Sequence, residues 1–477
     1  MESLVQAVLE NSARNPDKTA LIAGKKKLAY RELADKITVF AASLKAKKVK
    51  KGSRILIETQ DLHSFYCAFL GCHLAGCIAV PAEADISIYK LHELLKAVKP
   101  TLIFWKDHGE NYEDYFAGES LKKIVFPKEE NEAVIVSTTG TTGNPALVSH
   151  TNKSMLAETQ NLCVGTKITE DTVLFTSIPA HMAAGYRRVF AALYAGGTAV
   201  VTEEPVTLHM MGEYSANYKV NHLSLISTDI RLLTEEAASD RTERLDAVRY
   251  AESATSTLPN DTVLKFHNVF PHIMLFNVYG TTESGCVLIN NTLENFNDGC
   301  IGKPACNAEV SVVDEKGEQI ETPGKYGYVA VRGSMNMKCY YRKKALTDKV
   351  FQGDRIVIND IVYFDENGDF YFVSRVGDVI NVKGQKIIPG EIEKEAMKFG
   401  GIKECACVAR DDEQMGQAPV LYIVCEDEAS FEFDKLKEYL EERLESYRVP
   451  QSIIPIGKMP CTANGKIMRK HLSLMTK

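Results

Sequence analysis

The chain of 477 residues has no Cys-x-x-Cys pair and no Cys/His group with zinc-ligand spacing. A zinc site is therefore not predicted, and the twelve cysteines read as buried thiols of a reducing cytoplasm. The opening MESLVQAVLENSARNP lacks a basic region followed by an apolar run, so it does not read as a signal peptide. No apolar segment approaches the ~20 residues of a membrane span. Positive charge is not in excess. The net charge is −7 and the pI about 6.0, which excludes a broad footprint for nucleic acid. The basic runs Lys25–Lys27 and Lys45 to Lys51 read as solvated surface. Internal repeats and low-complexity segments are also missing.

What remains is a globular composition, 45% hydrophobic and 25% charged, with ample chain for a large core. Length suggests roughly three domains or subdomains. Short apolar runs at Thr19–Ile22, Arg54–Glu58, Cys77–Val80, Thr101–Phe104 and Ala133–Val136 alternate with helical patterns at Tyr30–Lys45 and Ser64–Ala75. Further strands are expected at Val173–Thr176, Thr198–Thr202, Leu223–Ile226 and Ile273–Asn277. The alternation predicts an α/β fold with mostly parallel strands, and Pro81 is expected to end its strand. From about Glu309 to Arg375 the texture becomes β-rich, with hairpin turns such as Glu366-Asn367-Gly368. A compact α+β module of about 100 residues follows. The expected domains are 1–375 and 376–477, with the β-rich subdomain at about 309–375.

Five stretches carry chemistry. VSTTGTTGNPALVSHTN crowds Thr138, Thr139, Thr141 and Thr142 around Gly140 and Gly143 after an apolar run. Glycines permit close backbone approach and N–H nests, and hydroxyls add donors, so the loop suits phosphate oxygens. A polar turn leaving a strand has the same composition. It is not a Walker loop, because Asn144 and Pro145 follow Gly143. NVYGTTESG, Asn277 to Gly285, sets Glu283 beside Thr281 and Thr282, a set that suits Mg²⁺ or a plain strand-ending turn. In VINDIVYFDENGDFYFVSR, Asp360 follows one strand and Arg375 ends another. An Asp there can accept from ribose hydroxyls or sit in solvent. VKGQKIIPGEIE and MPCTANGKIMRKHL add a helix entry after Gly384 and a turn lysine, Lys466.

In this order the five stretches resemble the adenylate-forming superfamily of acyl-CoA synthetases, peptide-synthetase adenylation domains and luciferases. The resemblance covers essentially the whole chain and is nearest in type to an AMP-forming acyl-CoA synthetase. KTALIAGKKKLAYRELADKI and YGYVAVRGSMNMKCYY fit it too. It implies a large α/β N-terminal domain and a small C-terminal domain that rotates between half-reactions. It further implies ATP, Mg²⁺ and coenzyme A as cofactors, and conversion of a carboxylic acid to an acyl-adenylate and then a thioester.

Carried over by position, Thr138 to Gly143 match the triphosphate loop. Thr282 matches the donor to the α-phosphate, and Glu283 the Mg²⁺ carboxylate. Ser253, Ala254, Thr255, Asn277, Val278, Tyr279, Gly280 and Thr281 fall in the segments flanking the nucleotide. Asp360 and Arg375 match the ribose pair, and Lys466 the lysine bridging carboxylate and α-phosphate. Gly377 falls on the hinge, where most relatives carry Asp or Lys. Lys383 and Gly384 fall on the thiol tunnel. Two departures stand out. The family's x-Pro-Lys-Gly reads Asn144-Pro145-Ala146-Leu147, so the loop lysine is absent. The usual Gly-Gly of the adenine loop is replaced within Glu252-Ser253-Ala254-Thr255.

The resemblance puts the acyl pocket at His181, Met182 and Gly185. His181 to Tyr186 contains no Asp to hold an α-ammonium, which favours a plain acyl or aryl acid. The alternatives are loading of a carrier protein's phosphopantetheine, and a degenerate member that binds without turnover.

Overall fold

The computed structural model describes residues 3–105, 109–138, 146–239, 245–255, 258–383, 385–412, 415–462 and 466–475. The chain divides into two compact units. The larger holds most of the chain up to Val310 together with Val331–Ile356, and the smaller holds Ser311–Ala330 and the chain from Val357 onward.

Two sheets build the larger unit. In the first, strands Val173–Thr176, Thr198–Val201, His222–Ile226, Tyr250–Ala254 and Met274–Thr281 pair in parallel. Gly285–Asn291 flanks them antiparallel at one side; at the other, Thr19–Ala23 joins Thr198–Val201 in parallel and Lys26–Ala29 pairs antiparallel with Thr19–Ala23. The second sheet has parallel strands Arg54–Glu58, Ile78–Ala82, Leu102–Phe104 and Glu132–Ser137, and an antiparallel strand Leu147–Thr151. Parallel pairing requires crossovers, and helices such as Leu62–Ala75 and Ala183–Ala195 supply them. These strands are buried on both faces, which is why they read as continuous apolar runs rather than alternating ones.

Pro81 does not end its strand. It pairs in register with Ile57 and the strand runs on to Ala82. Parallel ladder bonds are spaced along each edge, so a proline fits where its nitrogen is not called on to donate. Lys26 and Lys27 belong to the second strand of the N-terminal hairpin.

The smaller unit contains the hairpin of Arg355–Phe364 with Phe370–Arg375, followed by a sheet built on Ile402–Asp412 and Gly416–Cys425. Along Ile402–Asp412, Cys405 and Cys407 face one apolar cluster, with Leu421, Ile423, Leu436 and Leu440. Ala406 and Val408 face another, with Tyr422, Met459 and Leu472. Each fully buried Leu or Ile in these clusters stabilises by about 1.5–3 kcal/mol. Ile380–Val382 and Gln385–Ile387 pair antiparallel, with Lys383 at φ +50°.

No disulfide forms among the described residues, and seven of the twelve thiols are buried. Among the described residues no helix is long and apolar enough to cross a membrane.

Candidate active site

The carboxyl ends of parallel strands are where α/β sheets present ligand-binding groups. Strand Met274–Thr281 reaches that end and turns back into Gly285–Asn291. The register slips between Tyr279 and Gly280, and a Cβ on Gly280 would lie 2.1 Å from the Gly285 carbonyl oxygen. Only glycine permits that approach. Inside the turn the Ser284 amide donates to Thr281 Oγ1 at 3.1 Å.

The carbonyls of the turn are tied down from outside. His150 Nε2 lies 2.7 Å from the Thr282 carbonyl oxygen, and Arg187 donates to the carbonyls of Thr281 at 3.3 Å and Thr282 at 3.2 Å. The Met337 amide donates to the Glu283 carbonyl at 2.7 Å, and the Tyr340 hydroxyl to Glu283 Oε1 at 2.7 Å. Asn161 Nδ2 holds the next carbonyl but two, that of Cys286, at 2.8 Å. Three consecutive carbonyls thus point at protein donors.

Those donors rest on a buried polar cluster. His150, Glu158 and Asn161 are fully buried and Arg187 nearly so. Arg187 Nη2 donates to Glu158 Oε1 at 2.9 Å, while Nε lies 2.6 Å from Oε2 without hydrogen-bond alignment. Burial, assisted by the Arg187 cation, pushes His150 down to about 3, so its imidazole is neutral. Burial pushes the Glu158 carboxyl up, and Arg187 pulls against it. Sequence reasoning missed this cluster. Its one local signal is the spacing of Ser154, Glu158 and Asn161, which puts three polar residues on one face of helix Asn152–Gly165.

The phosphate-loop candidates divide. Thr139, Gly140, Thr141, Thr142 and Gly143 lie outside the described residues. Thr138 and Ala146 close the mouth of that loop: the Thr138 amide donates to the Ala146 carbonyl at 2.8 Å, and the Ala146 amide to Thr138 Oγ1 at 3.0 Å. The strand descending from the loop carries His150 to the Thr282 carbonyl, so the two segments are joined.

The adenine-loop candidates also come together with the turn strand, because Ser253 pairs in register with Asn277. Ser253 is fully buried, and Thr255 has φ +76°. A threonine therefore holds a left-handed backbone that glycine would take without strain. Asn277 Nδ2 donates to the Cys300 carbonyl at 3.1 Å; Val278 is buried, and Tyr279 and Gly280 lead to the turn.

The acyl-pocket candidates form the entry to helix Ala183–Ala195, with Met182 as its N-cap. A Cβ on Gly185 would lie 2.2 Å from the Pro179 carbonyl oxygen, so this first turn packs directly on backbone. His181 Nδ1 is buried without a hydrogen-bond partner among the described residues. Burial lowers its pKa, against the pull of Glu83. An open groove of about 510 Å³ includes Thr172, Asn221 and Arg249, at the opposite, N-terminal ends of the strands.

In the smaller unit, Asp360 and Arg375 face one another across the hairpin, with Arg375 Nε 3.3 Å from Asp360 Oδ1. Gly377 is exposed in a short turn, Val376–Asp378, and no neighbour would crowd a side chain there. The Lys383 amide donates to the Met415 carbonyl at 2.9 Å, and Gly384 lies outside the described residues. Lys466 closes a turn with Thr462: the Thr462 amide donates to the Lys466 carbonyl at 2.8 Å, and the Lys466 amide to Thr462 Oγ1 at 3.1 Å.

Mg²⁺ is held by one or two carboxylates together with substrate phosphates, not by a dedicated cage. Glu283, oriented by Tyr340 and flanked by the hydroxyl-bearing Thr282 and Ser284, fits that requirement. No group of three His, Cys, Asp or Glu side chains suited to a metal occurs among the described residues, and this mode of binding needs none.

Comparisons with known proteins bear on the whole chain. A family profile described as AMP-binding enzyme matches residues 8–341, and one described as AMP-binding enzyme C-terminal domain matches residues 391–466. Bacitracin synthase 1 of Bacillus licheniformis is 26% identical over 490 residues, covering 97% of this chain and 9% of that protein. The chain thus spans about a tenth of the length of that relative. Feruloyl-CoA synthase of Amycolatopsis sp is 25% identical over 480 residues, 95% of each chain. The ATP-bound crystal structure of MatB from Rhodopseudomonas palustris superposes with a TM-score of 0.92 at 20% identity, covering 100% of both chains, which establishes a common fold.

Proposed function

The chain belongs to the AMP-binding enzyme family, and from that membership we propose that it activates a carboxylic acid with ATP and passes the acyl group to coenzyme A. In the first step a carboxylate oxygen attacks the α-phosphorus. The bond to the β-phosphate bridge breaks, and acyl-adenylate and pyrophosphate form. In the second step the thiol sulfur attacks the acyl carbon, the bond to AMP breaks, and a thioester, AMP and a proton result.

The observation that carries this reading is the Thr281–Glu283 turn, whose carbonyls are all satisfied from behind. Such a turn is preorganised to present hydroxyls and a carboxylate to charge that develops at phosphorus. Thr282 donates to the α-phosphate. Glu283 holds Mg²⁺, which would supply charge neutralisation on the phosphates. Thr138 to Gly143 surround the triphosphate. Ser253 to Thr255 and Asn277 to Thr281 flank the nucleotide, and Asp360 with Arg375 binds ribose. Lys466 bridges the acid and the α-phosphate; a flexible ammonium suits that transient contact. Gly377 is the hinge between domains 1–375 and 376–477, and Lys383 and Gly384 line the thiol's approach. The acid lies against His181, Met182 and Gly185, and is an acyl or aryl acid without an α-ammonium. The cytoplasm is its proposed location, in keeping with the absence of a disulfide among the described residues.

A second reading replaces coenzyme A by the phosphopantetheine of a carrier protein. It is favoured by the match to a tenth of bacitracin synthase 1. Acid-dependent ATP–pyrophosphate exchange over a broad acid panel tests the first step, and supplying coenzyme A or a holo carrier protein separates the acceptors. ATP binding without exchange for any acid would instead mark a member that binds without turnover.

A further inference from the structure

Two adjacent arginines, Arg187 and Arg188, stand in the otherwise largely apolar helix Ala183–Ala195, and both are buried against carboxylates. A buried ion pair is weak evidence of stabilisation, because desolvation of both groups offsets their attraction and apolar replacements are often neutral. The Arg187–Glu158 pair therefore calls for another account. Arg187 is the group that reaches two successive carbonyls of the nucleotide turn, those of Thr281 and Thr282, from a position 94 and 95 residues away in sequence. Glu158 Oε1 accepts at 2.9 Å from Nη2, the same nitrogen that reaches the Thr282 carbonyl, and so fixes the guanidinium. His150 shares the Thr282 carbonyl, and Ser154 lies 3.2 Å from its other ring nitrogen.

We propose that Arg187, braced by Glu158, is a positioning residue that sets the Thr281–Thr282 backbone and through it the Thr282 hydroxyl that receives the nucleotide. This role rests on the function proposed above. Arginine suits it because a planar fork can serve a carboxylate and two carbonyls together, which a lysine cannot. Arg187 itself does not touch substrate, so its effect passes through the turn.

The test is a mutational cycle read by calorimetric binding of AMP and of ATP with Mg²⁺, neither of which requires the acid to be known. The combined substitution Arg187→Met with Glu158→Gln removes both charges and strands neither. It is expected to weaken nucleotide binding about tenfold. In a Thr282→Ala background the same pair should cost less than about twofold, because the group it positions is already gone. Arg187→Lys should fall between, about threefold, and serves the same cycle if the paired variant does not fold. Unchanged affinity in the variants, or an equal loss with and without the Thr282 hydroxyl, overturns the role. Wild-type protein that binds neither AMP nor ATP overturns the proposed function and this role with it, whereas wild-type binding with unaltered variants overturns the role alone.

Discussion

The Thr281–Ser284 turn is held by donors from the Leu147–Thr151 strand, the Ala183–Ala195 helix and the Met337–Tyr340 segment, which lie far apart in sequence. The turn that ends at Lys466 is closed by its own two ends, Thr462 and Lys466. The first construction spends buried charge to fix a backbone, and so suits groups that must be in place before substrate arrives. The second sets a lysine at the end of a segment whose two ends, Thr462 and Lys466, bond to each other.

The sharpest way to break this contrast is Lys466→Ala. It should lower acid-dependent ATP–pyrophosphate exchange by ~10³-fold while changing thioester formation from supplied acyl-adenylate less than about threefold. Equal losses in both steps would show that the lysine is part of the fixed machinery. Next in size is Glu283→Gln, with an expected loss of ~10² in exchange and a raised Mg²⁺ requirement. Tyr340→Phe, which removes only the phenol that orients Glu283, should cost about fivefold. A Mg²⁺ titration of both variants checks the order.

Acid should weaken the larger unit. Burial holds His73 and His222 down to about 4 and His150 to about 3. Unfolded imidazoles take up protons near pH 6.5. The folded ones do not, so their contribution is present above that pH and is lost as pH falls toward 4. Between pH 7 and 5 each costs roughly 2 kcal/mol. Urea midpoints at the two pH values measure the loss, and His222→Asn should reduce it by about one imidazole's share. An identical acid loss in that variant would mean His222 is protonated in the fold. Smallest is Thr255→Gly. Left-handed φ costs threonine roughly 1–2 kcal/mol, and the added unfolded-state freedom of glycine takes back most of it. The expected net gain is about 0.5 kcal/mol in a denaturation midpoint, and a loss would show that the threonine side chain secures the loop.

Much of the fold was legible because buried parallel strands announce themselves as apolar runs: Arg54–Glu58 and Val173–Thr176 run as expected. Pro81 misled, since propensity speaks of a free edge and not of a particular ladder position. Within the site, Asp360 and Arg375 were readable as neighbours because a hairpin joins them. His150, Glu158, Arg187 and Tyr340 were not. His150, Arg187 and Tyr340 act on the turn through a backbone carbonyl or a carboxylate oxygen, from 57 to 132 residues away, Glu158 acts through Arg187, and no local pattern records such contacts. The polar face that Ser154, Glu158 and Asn161 give helix Asn152–Gly165 was the available hint.

One detail of the threonine-rich loop reaches beyond the present chemistry. Thr138 and Ala146 are tied by bonds from backbone groups and the Thr138 hydroxyl, so the side chain at 146 takes no part in that tie. A lysine could be placed there by a single replacement that leaves both of those bonds as they are. The missing ammonium is therefore a reversible omission, within reach of one codon.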